Sequence, residues 1–243
     1  MVHLVKKVPS QPALIQKIIR DIKLGPKMTT KPVPAASSHI LHYHHDSLDF
    51  DGHFGYHSVI EQLNYVAQLT RPEIQYAVNT CARYGICARK EHGETLEYVG
   101  KYLKGTVKQG VILQPDKSKG FEVYADADFA SNWLKEYAQF DPTTAKSRSC
   151  LVILYAGCPV LWASRLQSQC ALSTTETEYI ALSMALRDVI PLMQLADELR
   201  ERKFPVVSTV PVAKCKAFED NSGALELACL PKMCPRSKHI NQC

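Results

Sequence analysis

No stretch of the chain approaches the roughly 18 consecutive apolar residues needed to cross a bilayer, so no membrane-spanning segment and no membrane partner are expected. The first ten residues also lack the apolar core of a signal peptide. Lys6 and Lys7 stand where that core would lie, so the chain is expected not to be secreted. No Cys-x-x-Cys pair occurs among the nine cysteines, so a zinc ribbon is not indicated. Their odd number and scatter fit reduced, mostly buried thiols. What is present is ordinary for a globular protein: 46% apolar and 22% charged residues exclude wholesale disorder and collagen-like or coiled-coil classes. A length of 243 residues allows one large domain or two small ones.

The net charge of +5 is unevenly spread. Residues 1–120 hold 16 Lys/Arg against 10 Asp/Glu, and residues 121–243 hold 13 against 14. A basic first half beside a near-neutral second half fits a polyanion-binding arm joined to something else.

Residues 11–24 read as a short helix, with Leu14, Ile18 and Ile22 at helical spacing and Gly25-Pro26 as its stop. Residues 25–55 show no period and read as linker. This stretch holds His39, His42, His44, His45 and Asp46, which are either solvated or a metal site. From Tyr56 to Thr106 the pattern is helical three times over. Ser58-Val-Ile-Glu61 and Thr70-Arg-Pro-Glu73 both have capping-box form. Lys101, Lys104 and Lys108 share one face of the third helix, as a solvated basic face or one that tracks phosphates.

After Gly110 the period changes to two. Phe121–Asp126, Ser149–Ala156 and Val160–Ser164 read as strands, the last two joined by a turn at Gly157-Cys-Pro159. A helix follows from Thr174 to about Arg202, bent near Pro191, then a strand over Val212–Phe218 and a helix over Asn221–Leu230. The expected fold is α/β. The first three strands form an antiparallel meander, and the fourth returns parallel to the first through the long helix.

Asp126 lies on the strand face opposite Phe121, Val123 and Ala125. Ser173-Thr-Thr-Glu176 forms a third capping box, giving Glu176 a structural duty. Glu178 has none, and its helical neighbours Ala181, Leu182, Ala185, Leu186 and Val189 are all apolar. A carboxylate on such a stripe is costly unless paired or bound to a cation. Asp220 ends the fourth strand, where an Asp can also be a helix cap. Taken together the three acids suit a Mg²⁺ or Mn²⁺ site, being hard oxygens with no His or Cys near them.

Tyr124-Ala-Asp-Ala-Asp-Phe129, Ala171-Leu-Ser-Thr-Thr-Glu-Thr-Glu-Tyr-Ile-Ala-Leu-Ser183, Asp220-Asn-Ser-Gly-Ala224 and Ser237-Lys-His-Ile-Asn241 resemble the ribonuclease H domain of copia-type retrotransposon Pol polyproteins. Upstream, Leu63-Asn-Tyr65, Thr70-Arg-Pro-Glu-Ile-Gln-Tyr-Ala-Val78 and Lys101-Tyr-Leu-Lys-Gly-Thr106 resemble the segment that links polymerase to nuclease in those polyproteins. The resemblance implies residues 1–55 as a thumb remnant of helix plus linker, 56–119 as a helical connection subdomain, and 120–243 as a ribonuclease H-like mixed sheet with flanking helices. It implies cleavage of the RNA strand of an RNA–DNA hybrid with two Mg²⁺ or Mn²⁺ ions, with the rest of a Pol polyprotein as the chain's context. Asp126 would bridge both ions, Glu178 and Asp220 would each bind one, and Ser173 would lie near the cut strand.

The sequence departs from that pattern in three places. Asn241 stands where the family has the fourth metal carboxylate, and an amide oxygen brings no charge. The family's final helix is expected to be missing beyond Cys243. No Tyr-x-Asp-Asp motif occurs, so the chain is not expected to polymerise DNA by itself. Two readings follow: a weakened ribonuclease H, or a non-catalytic, degenerate or domesticated nucleic-acid-binding remnant.

Overall fold

The computed structural model describes residues 6–35, 41–43, 46–206, 208–212 and 214–230. It divides into a helical unit, Lys7–Leu113 together with Asn132–Thr144, and a sheet unit built from Gln114–Ser131 and the residues from Ala145 on.

The helical unit packs α1 (Pro12–Asp21), α2 (Tyr56–Leu69), α3 (Gln75–Ala82) and α4 (Lys90–Gly105) around one core. Ile15, Ile18, Leu63, Val66, Ile74, Val78, Leu96, Val99 and Leu103 are fully buried. On α4, Gly93 and Gly100 leave room for the Phe50 ring and for Leu24, where any Cβ would collide. Two of the expected capping boxes do not form. Helix α2 begins at Tyr56, capped at Gly55, because Tyr56 buries its ring and donates its hydroxyl to Cys81 O. Ser58 therefore lies inside the helix. Thr70 ends α2 instead of starting a new helix, and Glu73 accepts from the guanidinium of Arg71. Arg71 is itself buried, bonded to Thr106 and set over the Tyr102 ring. A capping box does open α4, closed by a ring nitrogen: His92 Nδ1 accepts from Arg89 N at 2.9 Å. Burial lowers the His92 pKa to about 4, so the ring stays neutral and keeps that lone pair.

The residues between the first two strands add to this unit. Asp141 accepts from Tyr43 N and from Tyr84 Oη at 2.8 Å, bonds Thr143 and lies 3.6 Å from Arg83. Burial pushes its pKa up, but the hydrogen bonds and the Arg83 charge outweigh that and leave it below the ordinary 3.8. A depressed folded value means the stabilisation is present above pH 3.8 and is lost as pH falls through the lower folded value. Asp141→Asn should destabilise the helical unit at pH 7 by about 1–3 kcal/mol. It should also flatten the acid limb of urea-unfolding stability measured between pH 5 and 2. An acid limb identical to the parent's would show that Asp141 does not contribute.

The sheet unit holds β1 (Phe121–Asp128), β2 (Arg148–Tyr155), β3 (Cys158–Leu166) and β4 (Cys215–Phe218) in the order β3-β2-β1-β4. The three leading strands form the antiparallel meander, and β4 pairs parallel to β1 after the crossover through α5 (Thr174–Glu201). The β2–β3 turn is tighter than the sequence suggested. Ala156 and Gly157, both at positive φ, make the turn, and Cys158 and Pro159 already belong to β3. Pro159 faces Leu154 where the register shifts, at a sheet edge that tolerates its missing N–H. Phe121, Val123, Ala125, Leu151, Ile153 and Ala163 pack against Ala181, Leu182, Ala185 and Val189 of α5. That helix is long and apolar enough to cross a membrane by length and composition, and here its apolar stripe lies on the sheet. It runs through Pro191 without a break in assignment. Helix α6 (Ser222–Cys229) follows β4. All seven described cysteines are free.

Candidate metal centre

The pairing of β1 with β4 stops at Tyr124↔Phe218, so Asp126 stands two residues past the end of its parallel neighbour. The carboxyl ends of parallel strands joined by a crossover are where a sheet opens a crevice. Here that crevice is a groove of about 470 Å³ lined by Tyr124, Asp126, Phe218, Glu219, Asp220 and Leu225.

Three elements bring carboxylates together, and those of Asp126 and Asp220 line the groove. Asp126 comes from β1, Glu178 from the second turn of α5, and Asp220 from the second residue after β4, just before the cap of α6. Their ligand oxygens all lie within 4.8 Å of one another, and among the described residues they are the one such group of His, Cys, Asp or Glu. Oxygens bound to a single Mg²⁺ at 2.0–2.1 Å stand at most about 4.2 Å apart, so an ion would need only a small side-chain adjustment. Capping does not occupy Asp220, because Asn221 is the cap of α6 and accepts from Ala224 N at 3.0 Å.

Glu178 is the buried member, 8% exposed. It accepts from the backbone N–H of Ala127, while its Oε2 is buried without a hydrogen-bond partner. Burial raises its pKa to about 7, helped by the charges of Glu219, Asp126 and Asp220 and opposed by the Ala127 N–H. An orphaned carboxylate oxygen facing two other acids is the fit test for a cation, and this donor set passes it. Glu176 is equally buried, but it is satisfied. Its Oε2 accepts from Leu172 N at 2.8 Å, and Ser173 Oγ accepts from Glu176 N at 3.2 Å. Ser173 thus caps α5 as expected, but Glu176 reaches back to the N–H of Leu172, one residue before the cap, so only the Ser173 half of the capping box forms.

Glu219 was not singled out in the sequence. Its Oε1 accepts from Asn221 N at 3.2 Å, and its Oε2 is buried without a partner. Burial raises its pKa, opposed by the Asn221 N–H and reinforced by the charges of Asp220 and Asp126. The one available signal was strand alternation, which sets 219 on the same side of β4 as Cys215 and Ala217.

The lysines of the helical unit are partly engaged. Lys101 lies 3.3 Å from Glu97, and Lys104 Nζ donates to the carbonyls of Gly25, Pro26 and Met28 at 2.8–3.0 Å. Lys108 is exposed. Asn241 lies outside the described residues, as do His39, His44 and His45. His42 stacks on Tyr137 and its carbonyl accepts from His92.

No protein-family model matches the chain, and no solved structure matches it. Among curated proteins it is 30% identical over 239 residues, 97% of its length, to the retrovirus-related Pol polyprotein from transposon RE1 of Arabidopsis thaliana. It is 29% identical over 215 residues, 88% of the chain, to that from transposon RE2 of the same plant. To the Pol polyprotein from transposon TNT 1-94 of Nicotiana tabacum it is 30% identical over 190 residues, 76% of the chain. It spans only 13–15% of the length of these relatives. With three such relatives aligned over most of its residues, the chain belongs with the Pol polyproteins of copia-type retrotransposons.

Proposed function

We propose that the sheet unit is a metal-dependent ribonuclease H that hydrolyses the RNA strand of RNA–DNA hybrids. The observation that carries this reading is the meeting of three carboxylates, with oxygens of Asp126, Glu178 and Asp220 within 4.8 Å of one another and Glu178 buried with one oxygen unpartnered. Bound there, Mg²⁺ or Mn²⁺ supplies an activated water and charge neutralisation at phosphorus. The chain's own residues set the geometry. Asp126 presents its carboxylate from near the end of β1, beyond the last residue that pairs with β4 and still paired with Cys150 of β2. Glu178, anchored by Ala127 N–H, faces it from the packed side of α5, and Asp220 closes the groove where β4 ends. In hydrolysis, water adds to phosphorus and the P–O3′ bond breaks, leaving a 3′-hydroxyl and a 5′-phosphate. The test is a time course of cleavage of a labelled hybrid with Mg²⁺ or Mn²⁺. Cleavage of the RNA strand alone supports the reading, and an inert hybrid across the metal titration overturns it. The second reading, a non-catalytic binding remnant, is favoured by Asn241, and hybrid binding without cleavage would identify it.

Under either reading the helical unit contributes affinity for the polyanion. Lys108, beyond the end of α4, is exposed and free to meet phosphate, whereas Lys104 ties down the 25–28 turn. Lys108→Ala should flatten the slope of log K against log salt by about 0.9, taking the duplex-DNA scale for a hybrid. Lys104→Ala should instead lower stability, by about 1–3 kcal/mol for the uncapped carbonyls. Fluorescence-anisotropy titrations at several salt concentrations, with a melting curve for each variant, separate the two. An unchanged slope for Lys108→Ala removes it from the phosphate contacts.

A further inference from the structure

Away from the metal centre, α5 borders another pocket. At 3.6 residues per turn, Ile180 and Arg187 stand across the helix from Glu178 and from the Ala181, Leu182 and Ala185 stripe that lies on the sheet. With the end of β3 and the residues just after it, they line a space of about 330 Å³. That lies at the lower end of the range of about 300–1,000 Å³ found for small-ligand sites.

Arg165 and Arg187 give the pocket its charge, and no Asp or Glu lines it. Arg165 lies 3.5 Å from Asp188 and is still about half exposed. Arg187 is exposed and has no ion-pair partner among the described residues. Tyr179, Ile180 and Met184, all half-buried, add a flat ring and apolar surface.

Gln167 also lines the pocket, although it is only 2% exposed. Its Nε2 donates to Ser149 Oγ at 2.9 Å and to Thr177 O at 3.0 Å. The Thr177 carbonyl can only accept, so the amide is fixed in this orientation and Oε1 is left as an acceptor. That oxygen is buried without a partner. A buried acceptor left unmet is costly. Packing accounts for the Nε2 bonds and not for the orphaned oxygen.

We propose that this pocket is a nucleotide-binding site separate from the metal centre. A nucleoside phosphate carries the three groups these residues call for. Its phosphate suits the forked donors of Arg165 and Arg187. Its base has a flat face for Tyr179 and Met184. Its ribose hydroxyls or base amino group supply the donor that Gln167 Oε1 lacks. A free nucleotide and an unpaired nucleotide of a strand present the same chemistry. Binding here uses no divalent ion and does not depend on the metal-centre reading.

Titration calorimetry on the full chain in EDTA, which keeps the metal centre out of the measurement, tests this with adenosine monophosphate, adenosine and inorganic phosphate. One adenosine monophosphate per chain is expected, with adenosine and phosphate each at least about 10-fold weaker, since each lacks part of the recognised set. Arg187→Ala should weaken adenosine monophosphate by about 10-fold or more and leave the melting curve unchanged, Arg187 being exposed. Single-stranded octaadenylate that displaces adenosine monophosphate identifies a strand nucleotide as the natural occupant. Octaadenylate that fails to displace it identifies a free nucleotide. No binding of adenosine monophosphate at millimolar concentration overturns the inference. So does phosphate that binds as tightly as the nucleotide, or an Arg187→Ala protein that binds the nucleotide as the parent does.

Discussion

Glu178→Gln should melt well above the parent in a metal-free buffer at pH 8, and lose the parent's further stabilisation by Mn²⁺. In the parent the carboxylate is buried beside three other acids, and its pKa of about 7 lies above the ordinary 4.5. A folded value raised this way favours folding most where the group is protonated, below 4.5, and that advantage disappears as pH rises through about 7. At pH 8 the parent therefore folds against a charge it would shed if it could. A rise from 4.5 to about 7 corresponds to a penalty of about 3 kcal/mol for the ionised form. The Gln amide fills the same volume, accepts from Ala127 N–H and carries no charge. A rise of about 5–10 °C is expected at pH 8 for a unit of this size, shrinking to almost nothing at pH 5. Millimolar Mn²⁺ should then lift the parent's melting temperature, since a ligand that binds only the folded state stabilises it by mass action, while the Gln variant responds weakly. The same binding should strengthen in the parent from pH 6 to 8, because the ion competes with the Glu178 proton. Differential scanning fluorimetry in EDTA and in Mn²⁺, at both pH values, reads all of this. A Gln variant that melts lower than the parent at pH 8 would mean the carboxylate is satisfied as it stands.

That Glu178 could be picked out from sequence, and Glu219 could not, has a physical origin. Glu178 sits on an apolar stripe whose period is local, so the conflict between its charge and Ala181, Leu182 and Ala185 is visible in eight residues. Glu219 follows a strand only four residues long, too short for its alternation to show. The capping boxes divide on a similar ground. Ser173 meets no competitor and caps α5, while Glu176 takes the N–H one residue earlier. Glu73 has a nearer partner in Arg71, whose burial is fixed by Thr106 and Tyr102. The segment 132–144 carried no periodic signal at all, because Asp141 answers to Tyr43, Arg83 and Tyr84 across most of the helical unit. By contrast the meander, the crossover helix and the fourth strand were legible, since β1 to β3 alternate cleanly and α5 keeps one stripe over its first four turns.

Asp126→Asn should abolish hybrid cleavage, and Asn241→Asp should increase it. Asp126 is exposed at the end of β1 and touches no core, so its replacement removes a charge without opening a cavity or a hydrogen-bonded network. Loss of partners one step removed from a metal costs about 10–100-fold, and loss of a direct ligand should cost at least the upper end of that range. The folded state should gain slightly, because one of the charges raising the Glu178 pKa is gone. Lost activity with unchanged or higher melting temperature is therefore the signature of a ligand, whereas lost activity with lower melting temperature is that of a misfolded variant. Asn241 follows the Lys238-His-Ile240 run where the resembling family carries its fourth acid, and restoring the charge should raise cleavage by about 10-fold. Mn²⁺ should narrow the gap between parent and Asn241→Asp, since it accepts less regular ligand sets than Mg²⁺. Cleavage time courses for the parent and both variants, with Mg²⁺ and with Mn²⁺, measure these changes. Should the parent prove as inert as Asp126→Asn, with no recovery on Asn241→Asp, the carboxylates are a relic of the ribonuclease site, and hybrid binding without turnover becomes the function to measure.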